Sequence, residues 1–310
     1  MSDGGTNDAS PDDGGGGGDT GLGEDGDADA AVEAGTTCAT TDPFTNVTPL
    51  GLGGSNLAVS DARLSLDEKY VIFKRHLIDA GTDAGGAVAE IWSATRSSPT
   101  AAFGAPTALG ELAATYQIIS PTISPTLLTV VYAQYVSGGS AWDLTAETRA
   151  TPDASFSSAS LANVNAGSNT TDFYPYLSHD GTRLYFASSR SAINSLFSVA
   201  FGTGETPAAV ARLDKDGNDF APVLTGDELT LYFARTPTAE LTNIASSSLI
   251  YVQHRATTAE QFGTATQVGE ANVPSARNLP TWISPDGCRL YLTSSRSGKL
   301  DIYVATRAPK

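Results

Sequence analysis

The sequence has only two cysteines and three histidines in 310 residues. Two cysteines exclude a disulfide-rich framework and a four-cysteine metal site. His76, His179 and His254 have no second histidine or cysteine at metal-ligand spacing, so we expect no metal. No apolar run approaches the roughly 18 residues of a membrane span. A P-loop, a Gly-x-Ser-x-Gly elbow and the helix of a dinucleotide-binding fingerprint are also missing, so we expect no cofactor.

Positive charge is scarce as well, because 18 Lys and Arg face 34 Asp and Glu, for a net charge of −16. This excludes a typical nucleic-acid binder and docking on anionic lipid through basic residues. The acids are concentrated in residues 1–36, which hold ten acids, eleven glycines and no base. Such a segment cannot bury enough apolar surface to offset chain entropy. We predict a disordered acidic, glycine-rich tether at 1–36 and a single domain at 37–310.

A long soluble tether ahead of a domain is typical of a surface lipoprotein, because the lipid must be spaced from the fold. We therefore expect an export signal to be missing from this sequence, with Met1 at the place of a lipid-modified cysteine. The expected location is extracytoplasmic, in the periplasm or as an outer-membrane or cell-surface lipoprotein. The alternative is a native cytoplasmic start with a disordered tail.

The rest of the chain consists of repeats. Two copies are clear, DFYPYLSHDGTRLYFASSR from Asp172 to Arg190 and NLPTWISPDGCRLYLTSSR from Asn278 to Arg296. Weaker copies end at Arg75, Gln134 and Arg235. Each copy has an apolar strand, a tight turn of Ser, Asp, Gly and Pro type, and an alternating strand, which is typical of a β-hairpin. The Ser or Thr before the turn stands at positions 65, 124, 178, 225 and 284.

Further strands follow each hairpin. The third strands are EIWSATR, WDLTAETR, SLFSVAF, LIYVQHR and DIYVATR. A fourth strand begins at Phe103, Phe156 and Phe262, whereas the equivalent TPAAVARL of the third unit has no Phe. Four strands every 47 to 59 residues, without helical periodicity between them, indicate a β-propeller.

The strand count predicts how the ring closes. The last repeat ends at Lys310 without a fourth strand, and a surplus strand, Phe44 to Gly51, precedes the first hairpin. If this N-terminal strand completes the last blade, no edge stays open. We predict an all-β fold, a β-propeller of five four-stranded blades closed by an N-terminal strand. Six blades is the alternative.

The two cysteines flank this predicted seam. Cys38 lies just before the closing strand, and Cys288 follows the first turn of the blade that this strand completes. The second and fourth strands of a blade are about 10 Å apart, at about 4.8 Å per strand spacing. The five residues from Ala39 to Pro43 can span that gap. We predict a disulfide between Cys38 and Cys288, which would also place the protein outside the cytoplasm; the alternative is two unrelated buried thiols.

The segments SHDGTRLYFASSR and SPDGCRLYLTSSR…DIYVATR resemble the TolB-type, WD-like β-propeller repeat. The resemblance covers most of residues 57–310 and is poorest in the second unit, where Pro125-Thr126 replaces Asp-Gly. It implies the propeller fold and, by association, an exported bacterial protein. Because the repeat carries no catalytic residues, it implies interaction rather than chemistry.

The candidate ligand-binding residues lie on the predicted innermost strands. Asp172, Asp219 and Asn278 share one repeat position, and hairpin pairing should bring each beside the arginine that ends its hairpin. The favoured interpretation is a structural clasp in each blade. The alternative is a ring of ligand-binding groups around the channel, to which Asp61 and Trp282 would belong.

We expect a non-enzymatic extracytoplasmic propeller that binds or scaffolds a protein or glycan partner at the cell envelope, as a monomer and without catalytic residues. The alternative is a glycan-binding or glycoside-hydrolase-like propeller that uses channel carboxylates. Asp61, Asp172, Asp219 and Glu111 are the acids that could serve there, and two of them would need to lie about 5–9 Å apart. An enzyme should show unpaired acids converging in the channel mouth, whereas a scaffold should show acids clasped to arginines.

Overall fold

The regular secondary structure of the described residues is almost entirely β-strand. The structure, a computed structural model, describes residues 38–78, 90–112, 117–135, 141–167, 170–191, 193–210, 217–237 and 247–310. The predicted tether at 1–36 lies outside the described residues. No helix in the described ranges is long and apolar enough to cross a membrane. One 3-10 turn, Gly110–Leu112, interrupts the strands.

In chain order the strands are β1 (Phe44–Pro49), β2 (Leu57–Leu64), β3 (Tyr70–Leu77), β4 (Glu90–Thr95), β5 (Thr107–Ala108), β6 (Ile118–Ile123), β7 (Thr129–Tyr135), β8 (Trp142–Thr148), β9 (Ser157–Ala159), β10 (Asp172–Leu177), β11 (Arg183–Ser188), β12 (Ser195–Ala200), β13 (Ala208–Ala209), β14 (Gly217–Leu224), β15 (Thr230–Pro237), β16 (Leu249–His254), β17 (Thr266–Gln267), β18 (Asn278–Ile283), β19 (Arg289–Ser294) and β20 (Asp301–Arg307).

These strands form five antiparallel sheets of four strands each. Four sheets take their strands consecutively, β2 to β5, β6 to β9, β10 to β13 and β14 to β17, and are blades one to four. The fifth has the order β1-β20-β19-β18, so the first strand of the chain pairs with the last. The predicted five-bladed propeller with N-terminal closure is therefore confirmed.

One turn chemistry recurs between the first and second strands of the blades. In blade one Ser65 Oγ donates to Asp67 Oδ1 at 2.5 Å, and the same oxygen accepts the Lys69 N–H at 3.1 Å. Asp180, Asp227 and Asp286 accept equivalent bonds in blades three to five. The next residue has a left-handed φ of 56–73° in every blade: Glu68, Leu127, Gly181, Glu228 and Gly287. Glycine suits this position best, so Glu68 and Glu228 stand there despite a conformational cost.

The seam between β1 and β20 repeats a contact found inside other blades. An arginine at the end of the third strand lies over a phenylalanine, with Arg96 4.4 Å from the ring centre of Phe103. The pairs Arg149–Phe156, Arg255–Phe262 and, at the seam, Arg307–Phe44 match it. Phe103 and Phe262 precede β5 and β17 by four residues, so these two fourth strands are shorter and start later than we predicted. Blade three lacks both partners, since Phe201 replaces the arginine.

The predicted disulfide between Cys38 and Cys288 is confirmed, with the two Cα atoms 5.8 Å apart. Cys38 also pairs with Pro309 in an isolated bridge, so both ends of the domain meet there. Arg307 strengthens the seam, because its Nε donates to the carbonyl of Asp42 at 2.7 Å and its Nη1 donates to the carbonyl of Gly287. The ring is thus closed by a strand, a cation–aromatic stack and a covalent bond.

The inner strands β2, β6, β10, β14 and β18 surround the central channel, and each has a bulge at one repeat position. Four bulges place a non-glycine residue at φ 51–58°: Asp61, Ser120, Tyr174 and Ala221. In blade five the position is Pro280, and Pro121, Pro175 and Pro222 stand one residue later in blades two to four. Proline has no N–H, so it is tolerated only at a strand position that donates no backbone hydrogen bond, as on the edge that faces the channel. A bulge re-aims its side chain, and at this position the Tyr174 hydroxyl of blade three reaches Arg277 of blade five.

Candidate functional site

Side chains cross the central channel at three levels. A contact between non-adjacent blades of a five-membered ring must span the channel. Near the start of the inner strands, Arg277 Nη2 of blade five donates to the Tyr174 hydroxyl of blade three at 2.5 Å. Further along, Arg63 Nη2 of blade one donates to the Pro175 carbonyl of blade three at 3.3 Å. At these levels the channel is bridged by polar contacts rather than open.

At the turn end of the channel, aromatic rings make the third crossing. His179 of blade three stacks on Trp282 of blade five, with ring centres 5.5 Å apart. Trp282 is 4 % exposed and also packs edge-on against Tyr291 at 5.7 Å. Burial lowers the pKa of His179. His179 is therefore a partly buried residue of the turn between β10 and β11 that packs on Trp282.

Cations outnumber acids in the described part of the channel lining. Arg63 is 3 % exposed, while Lys74 and Arg277 are partly exposed near the start of the inner strands. Asp61 is the carboxylate whose charge acts on all three of these cations. Its Oδ2 accepts the Ser60 hydroxyl at 2.9 Å, and its backbone N–H donates to Thr293 Oγ1 at 2.8 Å. Three positive groups around one negative group leave a positive channel mouth.

The buried charges alter one another's protonation. Burial lowers the pKa of Arg63 to about 10, although Tyr176 and Asp61 partly oppose this effect. Burial also lowers the pKa of Lys74. Burial disfavours the charged form of Arg277, but Tyr174 and then Asp61 raise its pKa above the ordinary value. Arg63 Nε and Nη1 and Arg277 Nε have no hydrogen-bond partner among the described residues.

Sequence reasoning did not group these cations. Arg63 lies on an inner strand, Lys74 on a second strand and Arg277 just before β18, so they share no repeat position. One signal was available, because Arg63 is a charged residue inside the apolar strand LAVSDARL and such residues are seldom buried without a partner.

The predicted clasps are present in blades three and four. Arg190 Nη2 donates to Asp172 Oδ1 at 2.8 Å, and the second oxygen of Asp172 accepts the Ala166 N–H at 2.9 Å. Arg235 holds Asp219 through two bonds, Nε to Oδ1 at 2.6 Å and Nη2 to Oδ2 at 2.9 Å. Both aspartates are at most 1 % exposed. These contacts support the structural interpretation; a ligand-binding role of either residue stays a prediction.

Blade five replaces the acid with an amide and changes the clasp. Asn278 Oδ1 accepts the Ser294 hydroxyl at 2.9 Å, and its Nδ2 donates to the carbonyls of Ser248, Val273 and Ala276 at 2.8–2.9 Å. Arg296 Nε donates to the Ser294 hydroxyl at 3.1 Å and its Nη2 donates to the Ala271 carbonyl at 2.5 Å. Ser294 thus links the amide to the arginine, and the neutral amide binds backbone carbonyls that a carboxylate could not.

Replacing Asp219 with Asn should destabilise the fold by about 2–3 kcal/mol, since one charge-assisted bond to the buried Arg235 is lost. Urea denaturation followed by circular dichroism measures the change. Asp227→Asn is the matched control, because that exposed turn acid is replaced by another good turn former and should change stability by less than about 0.5 kcal/mol. Equal midpoints for the two variants would contradict the clasp.

Two of the predicted candidate acids are bound by arginines. Asp172 and Asp219 are engaged by their own arginines, and Glu111 is exposed in the 3-10 turn beyond β5. Among the described residues, no group of three or more His, Cys, Asp and Glu side chains could hold a metal ion. Asp61, in contrast, has no arginine or lysine nitrogen within salt-bridge distance among the described residues.

No protein-family model and no curated protein matches the chain. Among solved structures, a thermostable family-43 glycoside hydrolase is similar at 14% identity and a TM-score of 0.53, over 85% of this chain and 98% of that chain. TolB from Acinetobacter baumannii matches at 13% identity and 0.45, over 81% of this chain but only 55% of TolB. An oligogalacturonate lyase from Vibrio parahaemolyticus matches at 11% and 0.45, over 82% and 67%. Likeness at these identities concerns the fold alone, and the five four-stranded sheets show that this fold is a β-propeller.

Proposed function

We propose that the protein is a non-enzymatic, extracytoplasmic β-propeller that binds a protein or glycan partner at the cell envelope. The partner docks on the face where the inner strands begin, at the mouth of the channel. There the positive groups Lys74 and Arg277 are partly exposed, so the partner contributes acidic groups.

The observation that carries this proposal is the engagement of the channel acids. Glycoside hydrolysis needs two carboxyl groups free to act as acid and as base or nucleophile. Asp172 and Asp219 are each bonded to an arginine, and side chains cross the channel at the levels of Arg277 and Arg63. A channel bridged in this way suits a rigid binding frame better than a substrate pocket.

An extracytoplasmic location is part of the proposal. The bond between Cys38 and Cys288 supports it, because disulfides persist in oxidising compartments and are rare in the cytosol. We propose residues 1–36 as a tether that separates the ring from a lipid anchor, and the ring itself acts as a monomer.

The test uses the full chain with defined acidic and neutral probes. Polygalacturonate and dextran represent glycans, and poly-glutamate represents an acidic protein surface; binding is followed by biolayer interferometry and reducing-sugar release on both glycans is measured in parallel. Arg277→Met removes one charge at the channel mouth. Lys69→Met is the control, because it removes the same charge from the exposed turn face.

We expect binding of an acidic probe without sugar release, weakened several-fold by Arg277→Met and unchanged by Lys69→Met. Sugar release that disappears in Asp61→Asn would overturn the proposal in favour of the glycoside-hydrolase alternative. Failure of both acidic probes to bind, or equal binding by the two variants, would overturn the docking face.

A further inference from the structure

Two blade interfaces carry the same four side chains at equivalent repeat positions. Each has a glutamate at the left-handed turn position, an arginine and a tyrosine on the second strand of the preceding blade, and an arginine that ends the third strand. Between blades five and one these are Glu68, Arg289, Tyr291 and Arg96; between blades three and four they are Glu228, Arg183, Tyr185 and Arg255. The two copies differ in how tightly they close.

The copy around Glu68 is closed. Arg289 donates Nη2 to Oε1 at 2.6 Å and Nε to Oε2 at 2.8 Å, and the Tyr291 hydroxyl donates to Oε2 at 2.6 Å. Arg96 completes the network with a 2.8 Å bond to the Tyr291 hydroxyl. The Glu68 side chain is 3 % exposed, so this copy is a structural ion pair.

The copy around Glu228 is more open, although burial and then the interaction with Glu228 raise the pKa of the Tyr185 hydroxyl. Arg183 Nε and Arg255 Nη2 stand 4.0 Å and 3.8 Å from Glu228 Oε2, beyond hydrogen-bonding distance. The Glu228 side chain is 18 % exposed and that of Arg183 is 42 % exposed. Beside them lies a cleft of about 400 Å³, within the range of about 300–1,000 Å³ that small-molecule sites occupy.

The cleft lining is polar but balanced in charge. Its charged members are Arg183, Arg255, Glu228 and Glu260. Ser198, Thr258 and Gln261 add uncharged hydrogen-bonding groups, while Val210 and Phe262 are almost completely buried beneath the lining. Separated donors and acceptors match a ligand with several hydroxyl groups. A hydroxyl can donate to Glu228 and accept from Arg183 at once, which a simple anion cannot do.

We propose that this cleft binds a neutral saccharide unit whose hydroxyl groups bridge Glu228 and Arg183. The cleft lies among the first turns and third-strand ends of blades three and four, at the end opposite the Arg277 channel mouth. A saccharide here is therefore a second ligand, independent of the acidic partner at that mouth.

The test measures binding of glucose, galactose, mannose and N-acetylglucosamine to the full chain by saturation-transfer NMR and calorimetry. Arg183→Met removes one arm of the bridge, and Glu228→Gln replaces the charged acceptor of the other arm with a neutral amide. Glu270→Gln is the control, because it neutralises an exposed acid next to β17, outside the cleft. Thermal melting reports the fold of every variant, and the half-exposed Arg183 provides the decisive variant if Glu228→Gln lowers the melting temperature.

We expect at least one sugar to bind, with affinity reduced about tenfold or more in Arg183→Met and Glu228→Gln and unchanged in Glu270→Gln. Absence of binding by all four sugars would overturn the proposal. Sugar affinities that stay unchanged in both variants would also overturn it. Preferential binding of inorganic phosphate at Arg183 would overturn it too. The proposal that an acidic partner docks at the channel mouth is tested independently, because Arg183→Met should bind polygalacturonate as well as the parent does.

Discussion

Deletion of residues 43–51 should convert a ring that unfolds cooperatively into an aggregating species that keeps little of its stability. The deletion removes β1, so all of β20 becomes an open edge able to pair with other chains. It also removes Phe44, which is 3 % exposed and packs on Arg307 and on Tyr232 of the neighbouring blade. We expect most of the roughly 5–15 kcal/mol typical of a folded domain to be lost, as measured by urea denaturation and light scattering.

A point substitution separates the effect of losing the Arg307–Phe44 stack from the effect of losing the pairing between β1 and β20. Phe44→Ala and Phe156→Ala remove equivalent rings, at the seam and inside blade two, and each should cost about 3–5 kcal/mol. Both variants retain all twenty strands, so both should stay soluble. If the deletion variant is also soluble and has the midpoint of the parent, β1 does not close the ring in solution.

Glu68→Gln should destabilise the protein by about 2–3 kcal/mol, because charge-assisted hydrogen bonds to a buried carboxylate are lost while Arg289 keeps its ion pair with Asp286 at 3.0 Å. The amide keeps the size of the side chain but cannot neutralise Arg289, whose pKa is raised by its bonds to Glu68. The Tyr291 hydroxyl and Arg96 belong to the same network, so the loss extends beyond one pair. The measurement is a urea midpoint at neutral pH and constant salt.

Glu228→Gln is the matched control for this prediction. Glu228 has a φ of 56° against 58° for Glu68, so the backbone cost of the substitution is the same. Its arginines stand at 3.8–4.0 Å and its environment is partly solvated, so we expect a change of no more than about 1 kcal/mol. Similar losses in the two variants would mean that the two interfaces are equally closed in solution.

The fold could be predicted from the sequence because its chemistry repeats. The Ser65–Asp67 type of turn recurs every 47 to 59 residues, and each copy indicates a hairpin independently of long-range packing. Counting strands then predicted the seam, and the positions of Cys38 and Cys288 predicted the bond across it. Each of these inferences needed only local patterns and the requirement that no sheet edge stays open.

The channel could not be predicted in the same way, because it is made by residues that do not repeat. Arg63, Lys74 and Arg277 meet only after the ring closes, and no spacing in the sequence connects them. The two glutamate networks left a usable signal, since Glu68 and Glu228 replace the glycine that favours a left-handed turn. Whether each network closes depends on interface packing, which composition does not encode.

The bond between Cys38 and Cys288 makes the polypeptide between them a covalent circle, with a sequence separation of 250 residues. A protease that cuts any single loop inside this circle produces two fragments that remain one molecule until the disulfide is reduced. A single cleavage in a loop between Cys38 and Cys288 therefore does not release any blade from the molecule. For the same reason, a circular permutant that starts in any blade-connecting loop, with residue 310 linked to residue 38, should rebuild the same ring.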